Sequence, residues 1–151
     1  MSALAASNRT ILRDAVVAEL TALKGSGRAR VPAFGLSTNF LNADEVKQDI
    51  TYCVVVTDES IQAQTLMQRE SAMTLVLVLY VREKDDLRAK LDAAIEDVYE
   101  ALLLVQQRVK PDIWKMALDE LTTDDNTTAA KDVAQAVQRW TCHHHRKTTG
   151  F

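Results

Sequence analysis

The sequence predicts an α+β fold, a mostly antiparallel sheet of about five strands covered by two main helices. Three observations predict it. Two stretches carry apolar residues at every third or fourth position, the spacing of one helical face. Others alternate apolar and polar residues or are rich in β-branched and aromatic types, as strands are. They follow one another as helix, three strands, helix, two strands, an order that layers the helices over a sheet. At 151 residues, 47% hydrophobic and 26% charged, the chain fits a single domain spanning 1–151. A core of that size needs neither disulfides nor a structural metal to hold.

The first helix runs from Asn8 to Leu23. Ser7 or Asn8 can cap it, and Leu12, Ala15, Val16, Leu20 and Leu23 form its buried stripe. Gly25-Ser26-Gly27 ends it, since glycine accepts the left-handed backbone of a C-terminal cap, and Pro32 argues against resuming it. Arg28 to Leu36 reads as a short extended segment, which Pro32 confines to an edge because it cannot donate to a ladder. Asn39 to Asp49 has no sustained period and reads as a loop.

Ile50 to Thr57 reads as a strand, with Ile50, Tyr52, Val54 and Val56 on one face and Thr51, Cys53, Val55 and Thr57 on the other. Asp58 to Arg69 is polar, and Gln62, Gln64 and Gln68 interrupt any apolar face, so it reads as a long hairpin arm or an excursion. Ser71 to Arg82 is the strongest strand. Met73, Leu75, Leu77, Leu79 and Val81 line one face while Val76, Val78 and Tyr80 line the other, so both faces need a cover: the helices, and on the far side a subunit.

Asp85 and Asp86 offer a cap to the second helix, whose stripe is Leu87, Leu91, Ala94, Ile95, Val98, Leu102 and Val105, and Pro111 stops it. Ile113 to Thr122 alternates, placing Trp114, Met116 and Leu118 against Lys115, Asp119 and Leu121. Thr123 to Thr128 reads as a loop. Asp132 to Lys147 mixes helical spacing (Val133, Ala136, Val137, Trp140) with the extended preference of Trp140 to His145, and a strand is the reading adopted.

The longest apolar run, Leu75 to Val81, is far short of the roughly 20 residues that cross a bilayer. Met1 to Asn8 lacks a basic start followed by an apolar segment, so a cytosolic chain without a secretory signal is expected. Cys53 and Cys142 form no recognisable framework and read as free buried thiols. Charge is segregated. Residues 1–30 carry five bases against two acids, 31–130 nine against eighteen, and 131–151 four against one, so basic ends (net +3 each) flank an acidic middle (net −9). If the ends lie on one side of the fold, the surface is two-sided in charge, which suits head-to-tail association of identical subunits better than tight nucleic-acid binding.

The search for an active site finds little. The four glycines include Gly25 and Gly27, which follow a helix instead of leading from a strand into one, so no phosphate loop is read. All three histidines are consecutive, His143 to His145, leaving no nucleophile and base pair legible. Cys142 and His144 are the metal candidates, since alternation points both to one face, but no third ligand is placed with them. Asp119 and Glu120 alternate faces on a strand and read, with Asp124 and Asp125, as a solvated rim lacking the glycine and terminal glutamate of a calcium loop. Trp114 and Trp140 read as core or as interface anchors. With a pI near 5.6 and no basic amphipathic helix, sequence-specific DNA recognition is not expected.

The order of elements resembles the tail terminator proteins of tailed bacteriophages. It is carried by the capped helix from Asn8 to Leu23, the proline-containing edge segment, two long strands and the helix opened by Asp85-Asp86. The aromatic-led strand Ile113 to Leu121, the acidic Thr-rich loop and the final strand complete it. The similarity covers nearly the whole chain in length, order and texture. Leu118-Asp119-Glu120-Leu121 with the following Asp124-Asp125 is the nearest thing to a motif, and no individual residue carries over from a family motif. The resemblance implies a non-enzymatic virion protein without cofactors, assembled in the host cytoplasm. Its form is a ring, usually a homohexamer, that docks on the last ring of the tail tube protein and halts polymerisation. The ring offers a surface to the head-tail connector or neck protein while genomic DNA passes through the lumen without sequence recognition.

The polar arm and the basic C-terminal strand are the expected contact surfaces, giving Asp58, Glu59, Gln62, Gln64, Arg69, Arg139, His143, His145, Arg146 and Lys147 as candidate interface residues. Two alternatives stay open: another head-tail connector or neck protein of the virion, and a small metal- or ligand-binding domain built on Cys142 to His145.

Overall fold

The computed structural model describes residues 7–41, 48–64, 68–82, 86–109, 113–124 and 134–147. Helix α1, Asn8–Lys24, starts where Ser7 Oγ accepts the Thr10 N–H at 3.2 Å, and it buries Leu12, Val16 and Leu20. Its end falls at the expected glycine turn. Gly25 has φ −101, and the left-handed residue is Gly27 at φ 75. The Leu23 carbonyl is already satisfied by Ser26, whose N–H and hydroxyl donate to it at 3.2 and 2.8 Å, so the turn tightens before it reverses.

Strand β1 is only Gly35–Ser37, shorter than the extended segment read from the sequence. The Arg30 and Val31 N–H groups donate instead to the Asp97 carboxylate, at 3.1 and 2.9 Å, so that stretch joins a helix and not the ladder. Strands β2, Ile50–Gln64, and β3, Gln68–Val81, form an antiparallel hairpin. The polar stretch expected as arm or excursion therefore continues both strands, with register shifts at Val56/Glu59 and Ile61/Ala63.

Helix α2 is Leu87–Arg108. Asp86 does not cap it with its side chain: at φ 55 and ψ 36 it takes left-handed backbone, and its carbonyl accepts from Lys90 N–H at 2.9 Å. Asp85 and Pro111 lie outside the described residues. Strands β4, Ile113–Asp124, and β5, Ala134–Lys147, complete the chain. The expected loop at Thr123–Thr128 loses Thr123 and Asp124 to β4, and its remainder, like 42–47 of the other loop, lies outside the described residues.

The five strands form one sheet in the order β1-β2-β3-β5-β4, with β1 parallel to β2 and every other pair antiparallel. This is the α+β class expected, a mostly antiparallel sheet with two helices. Simple alternation fails on β4. Register shifts at Ile113/Lys115 and Leu118/Glu120 put Leu121 opposite Gln138 on the face of Met116 and Leu118. The same bulge undoes the alternation expected for Asp119 and Glu120. Asp119 accepts from the Thr141 hydroxyl and Glu120 pairs with Arg139, so both acids serve the face turned away from the helices. The side chain of Trp114 lies outside the described residues.

Both helices cover one face. Leu12, Val16 and Leu20 of α1 and Leu91, Val98, Leu102 and Val105 of α2 pack with Tyr52, Leu75, Leu77, Leu79 and Trp140. Glu19, on the buried stripe of α1, reaches Arg108 at 2.9 Å and ties the helices together. On the other face Cys53, Val76, Val78 and Tyr80 cluster beneath Leu41, and the Tyr80 hydroxyl donates to the Leu41 carbonyl at 2.7 Å. Part of the cover expected from a subunit is thus supplied by the chain itself. Cys53 and Cys142 are buried on opposite faces as free thiols, as read from the sequence.

Candidate interaction surfaces

The two contact surfaces read from the sequence converge on one end of the sheet. β4 joins the ladder at Ile113, opposite His144, whereas β2, β3 and β5 run on beyond it. The arm and the basic strand are therefore one three-stranded tip, with Gln64 opposite Arg69, Arg69 opposite Arg146, Glu70 opposite His145 and Gln68 opposite Lys147. The side chains of Gln62, Gln64, Arg69, His145, Arg146 and Lys147 lie outside the described residues, and their backbone positions are what the ladder fixes. Asp58 is exposed, His143 is half-buried, and Arg139 is exposed with Glu120 at 3.7 Å.

Glu59 is placed differently from an outward contact. At the register shift its carboxylate turns inward, and Oε1 stands 3.0 Å from Nε2 of the fully buried His144. The other ring nitrogen, Nδ1, is 2.8 Å from Asn8 Nδ2 at the start of α1. With Asn8 donating to Nδ1, the Nε2–H is left facing Glu59, an assignment set by the hydrogen bonding. Arg9, one residue on, donates to the Val56 and Thr57 carbonyls at 3.0 and 2.8 Å. The first turn of α1 thus pins the arm at its base. Sequence reading missed this because Asn8 and Glu59 are far apart in the chain; Glu59 in an alternating stretch carries no signal of inversion until the bulge is known.

Cys142 and His144 do share the helix-covered face, as alternation implies. Both nitrogens of His144 face Asn8 and Glu59, and burial, with the Asp119 charge adding, pushes the Cys142 thiol up to about 12, so it is a neutral thiol at neutral pH and a poor ligand. Among the described residues no three His, Cys, Asp or Glu side chains gather as a metal site. Burial raises the Cys53 thiol too.

Among the described residues two concavities stand out. A cleft of about 540 Å³ opens between the ends of the helices and the segment before β1, with Phe34 and Ile50 as apolar floor and Lys24, Lys90, Asp49 and Asp86 on its rim. The Lys24 ammonium sits 5.6 Å from the Phe34 ring, which stacks on Tyr52 at 4.5 Å. Arg30 also borders the cleft but is engaged by Glu100 and Asp97 at 2.9 and 3.1 Å, a clamp that holds the Glu100 carboxyl below its ordinary range. Opposite charges on the rim cancel, so the cleft selects no ligand charge. The second concavity is a notch of about 250 Å³ between α1 and the edge of β2, bordered by Arg9, Arg13, Thr38, Val55 and Val56. It is polar and basic.

No described helix is long and apolar enough to cross a membrane. No family model matches the chain, and no curated protein matches it. In fold it is similar to the sheath/tube terminator of an extracellular contractile injection system, PVC, solved by cryo-EM in the extended state. The TM-score is 0.53 at 9% identity, over 97% of this chain and 60% of that one. This chain therefore spans under two thirds of that neighbour's length, and the likeness is one of fold.

Proposed function

We propose that this chain is a non-enzymatic, single-domain tail-terminator subunit. Copies of it close into a ring, six in the bacteriophage form of the reading. The ring sits on the last ring of a tail tube, halts growth and presents its other side to a connector or neck protein, with DNA passing through the lumen of a virion. The observation that carries the reading is the fold similarity to a sheath/tube terminator over 97% of the chain. The three-stranded tip, with its basic strand beside the arm, gives the reading a projecting surface for the tube. Gln64, Arg69, His145, Arg146 and Lys147 at the tip are its proposed contacts, with Asp58, Arg139 and His143 nearer the middle of the sheet. A second setting follows from the particle named for that neighbour: the end of the sheath and tube of a contractile injection system.

Light scattering behind size exclusion, across protein concentration and with a chelator, tests self-association. The expected result is mass rising to one closed oligomer, unaffected by the chelator. Dissociation by the chelator contradicts a ring held by protein contacts and favours a metal-dependent domain.

A further inference from the structure

Beyond the level of Ile113 the sheet is reduced to β2, β3 and β5, and its charge is one-sided. The described strands there carry Arg69, His145, Arg146 and Lys147 against one acid, Glu70, and residues 65–67, between β2 and β3, add none. The ladder sorts these residues by face. Gln64, Arg69 and Arg146 stand at one level across the three strands and so share a face, while Glu70 stands opposite His145 and Ala63 on the other.

Two arginines at directly opposed positions cost the fold stability. Residues so placed have Cβ atoms about 4.5–5.5 Å apart, and like charges there repel. The neighbouring row does not relieve them. Two residues nearer the body of the sheet, on the same face, stand Ser71 and His144, and the carboxylate that reaches this row, Glu59, is held 3.0 Å from His144 Nε2. The first turn of α1 adds to the field, since Asn8 sits 2.8 Å from the His144 ring and brings the positive end of the helix dipole to this row. An anion supplied by a partner relieves two clustered guanidinium groups, and a carboxylate accepts two parallel hydrogen bonds from one of them.

Resting on the tube contact proposed above, we infer that Arg69 and Arg146, with Gln64 beside them, form a clamp for carboxylates, so that the surface the tip meets is an acidic protein surface. A nucleic acid suits the tip less well. A duplex is held by a stripe of cations that follows its phosphates, whereas three bases against one acid at the tip leave a net −5 on the rest of a chain of net −3.

Fluorescence anisotropy of a labelled poly-L-glutamate peptide titrated with the full chain tests the clamp. Binding is expected at low salt and weakens as salt rises. Arg69→Gln/Arg146→Gln should weaken it about tenfold without lowering the denaturant midpoint, because the substitutions remove a repulsion. Arg28→Gln/Arg88→Gln, the same loss of charge at exposed positions near the other end of the helices, should leave it within about twofold. An unchanged affinity of the tip variant, an equal loss in the control, a lowered midpoint, or tip-dependent binding of a short DNA duplex tighter than that of the peptide overturns the clamp. Tubes shortened equally by the parent chain and the tip variant remove the clamp and leave the proposed function; a tip-dependent peptide complex with a parent chain that does not shorten tubes does the reverse.

Discussion

Replacing Trp140 with alanine is expected to lower the stability of the folded chain by about 3–5 kcal/mol, read as a drop in denaturant midpoint at unchanged slope. Trp140 is 2% exposed and among the largest buried side chains, in the centre of β5 beneath α2, with the Tyr99 ring at 5.7 Å. Truncation removes its transfer energy and leaves a cavity that neighbouring strands cannot collapse to fill. Its indole N–H donates to Gln138 Oε1 at 3.0 Å, and Gln138 Nε2 donates to the Ile95 carbonyl at 3.1 Å, so the same ring anchors a buried amide spanning sheet and helix. Trp140→Phe should retain most of the packing and lose only about 1–2 kcal/mol, because Gln138 Oε1 is left without its donor. A loss under about 1 kcal/mol for the alanine variant would contradict this placement of the core.

Asp97→Ala should cost a similar amount, about 3–5 kcal/mol, for a different reason. The Asp97 side chain is 1% exposed, and its two oxygens accept from Arg30 N–H, the Arg30 guanidinium and Val31 N–H at 3.1, 3.1 and 2.9 Å. Val31 is itself buried, so removing the carboxylate orphans a backbone donor with no water to replace it. Asp97→Asn should not rescue. One oxygen becomes an NH₂ group, which cannot accept from a backbone N–H. A denaturant midpoint for Asp97→Asn close to that of the parent chain would show that the carboxylate is not what holds the 30–31 segment.

The elements legible in the sequence are those whose apolar period survives folding. The stripes from Leu12 to Leu23 and from Leu87 to Val105 name both helices, and the alternation of Met73, Leu75, Leu77, Leu79 and Val81 names the central strand. The outer parts of the hairpin are illegible because polar residues interrupt both faces from Asp58 to Arg69, leaving no contrast for a period to show. The bulge at Leu118/Glu120 is invisible for another reason: register belongs to the pair of strands, not to either alone. One signal was readable. Asp97 lies three residues after Ala94 and four before Ala101, and Glu19 three after Val16, so each is a carboxylate on a buried stripe. A charge there needs a partner, and the structure supplies Arg30 and Arg108.

Of the candidate contacts, the basic strand and the arm were legible as separate surfaces, but their union into one tip follows from the β3–β5 pairing, which joins residues more than fifty positions apart. Glu59 was legible as polar and not as inward-turned, since its place on His144 depends on the irregularity between Val56 and Glu59.

Tube growth followed by electron microscopy tests the central claim most directly: the tube protein of the same particle is polymerised with and without this chain, and lengths and ends are compared. A terminating ring predicts shorter tubes, with length falling as the chain is added, and extra density at one end only. Unchanged lengths with no density at the ends would contradict it.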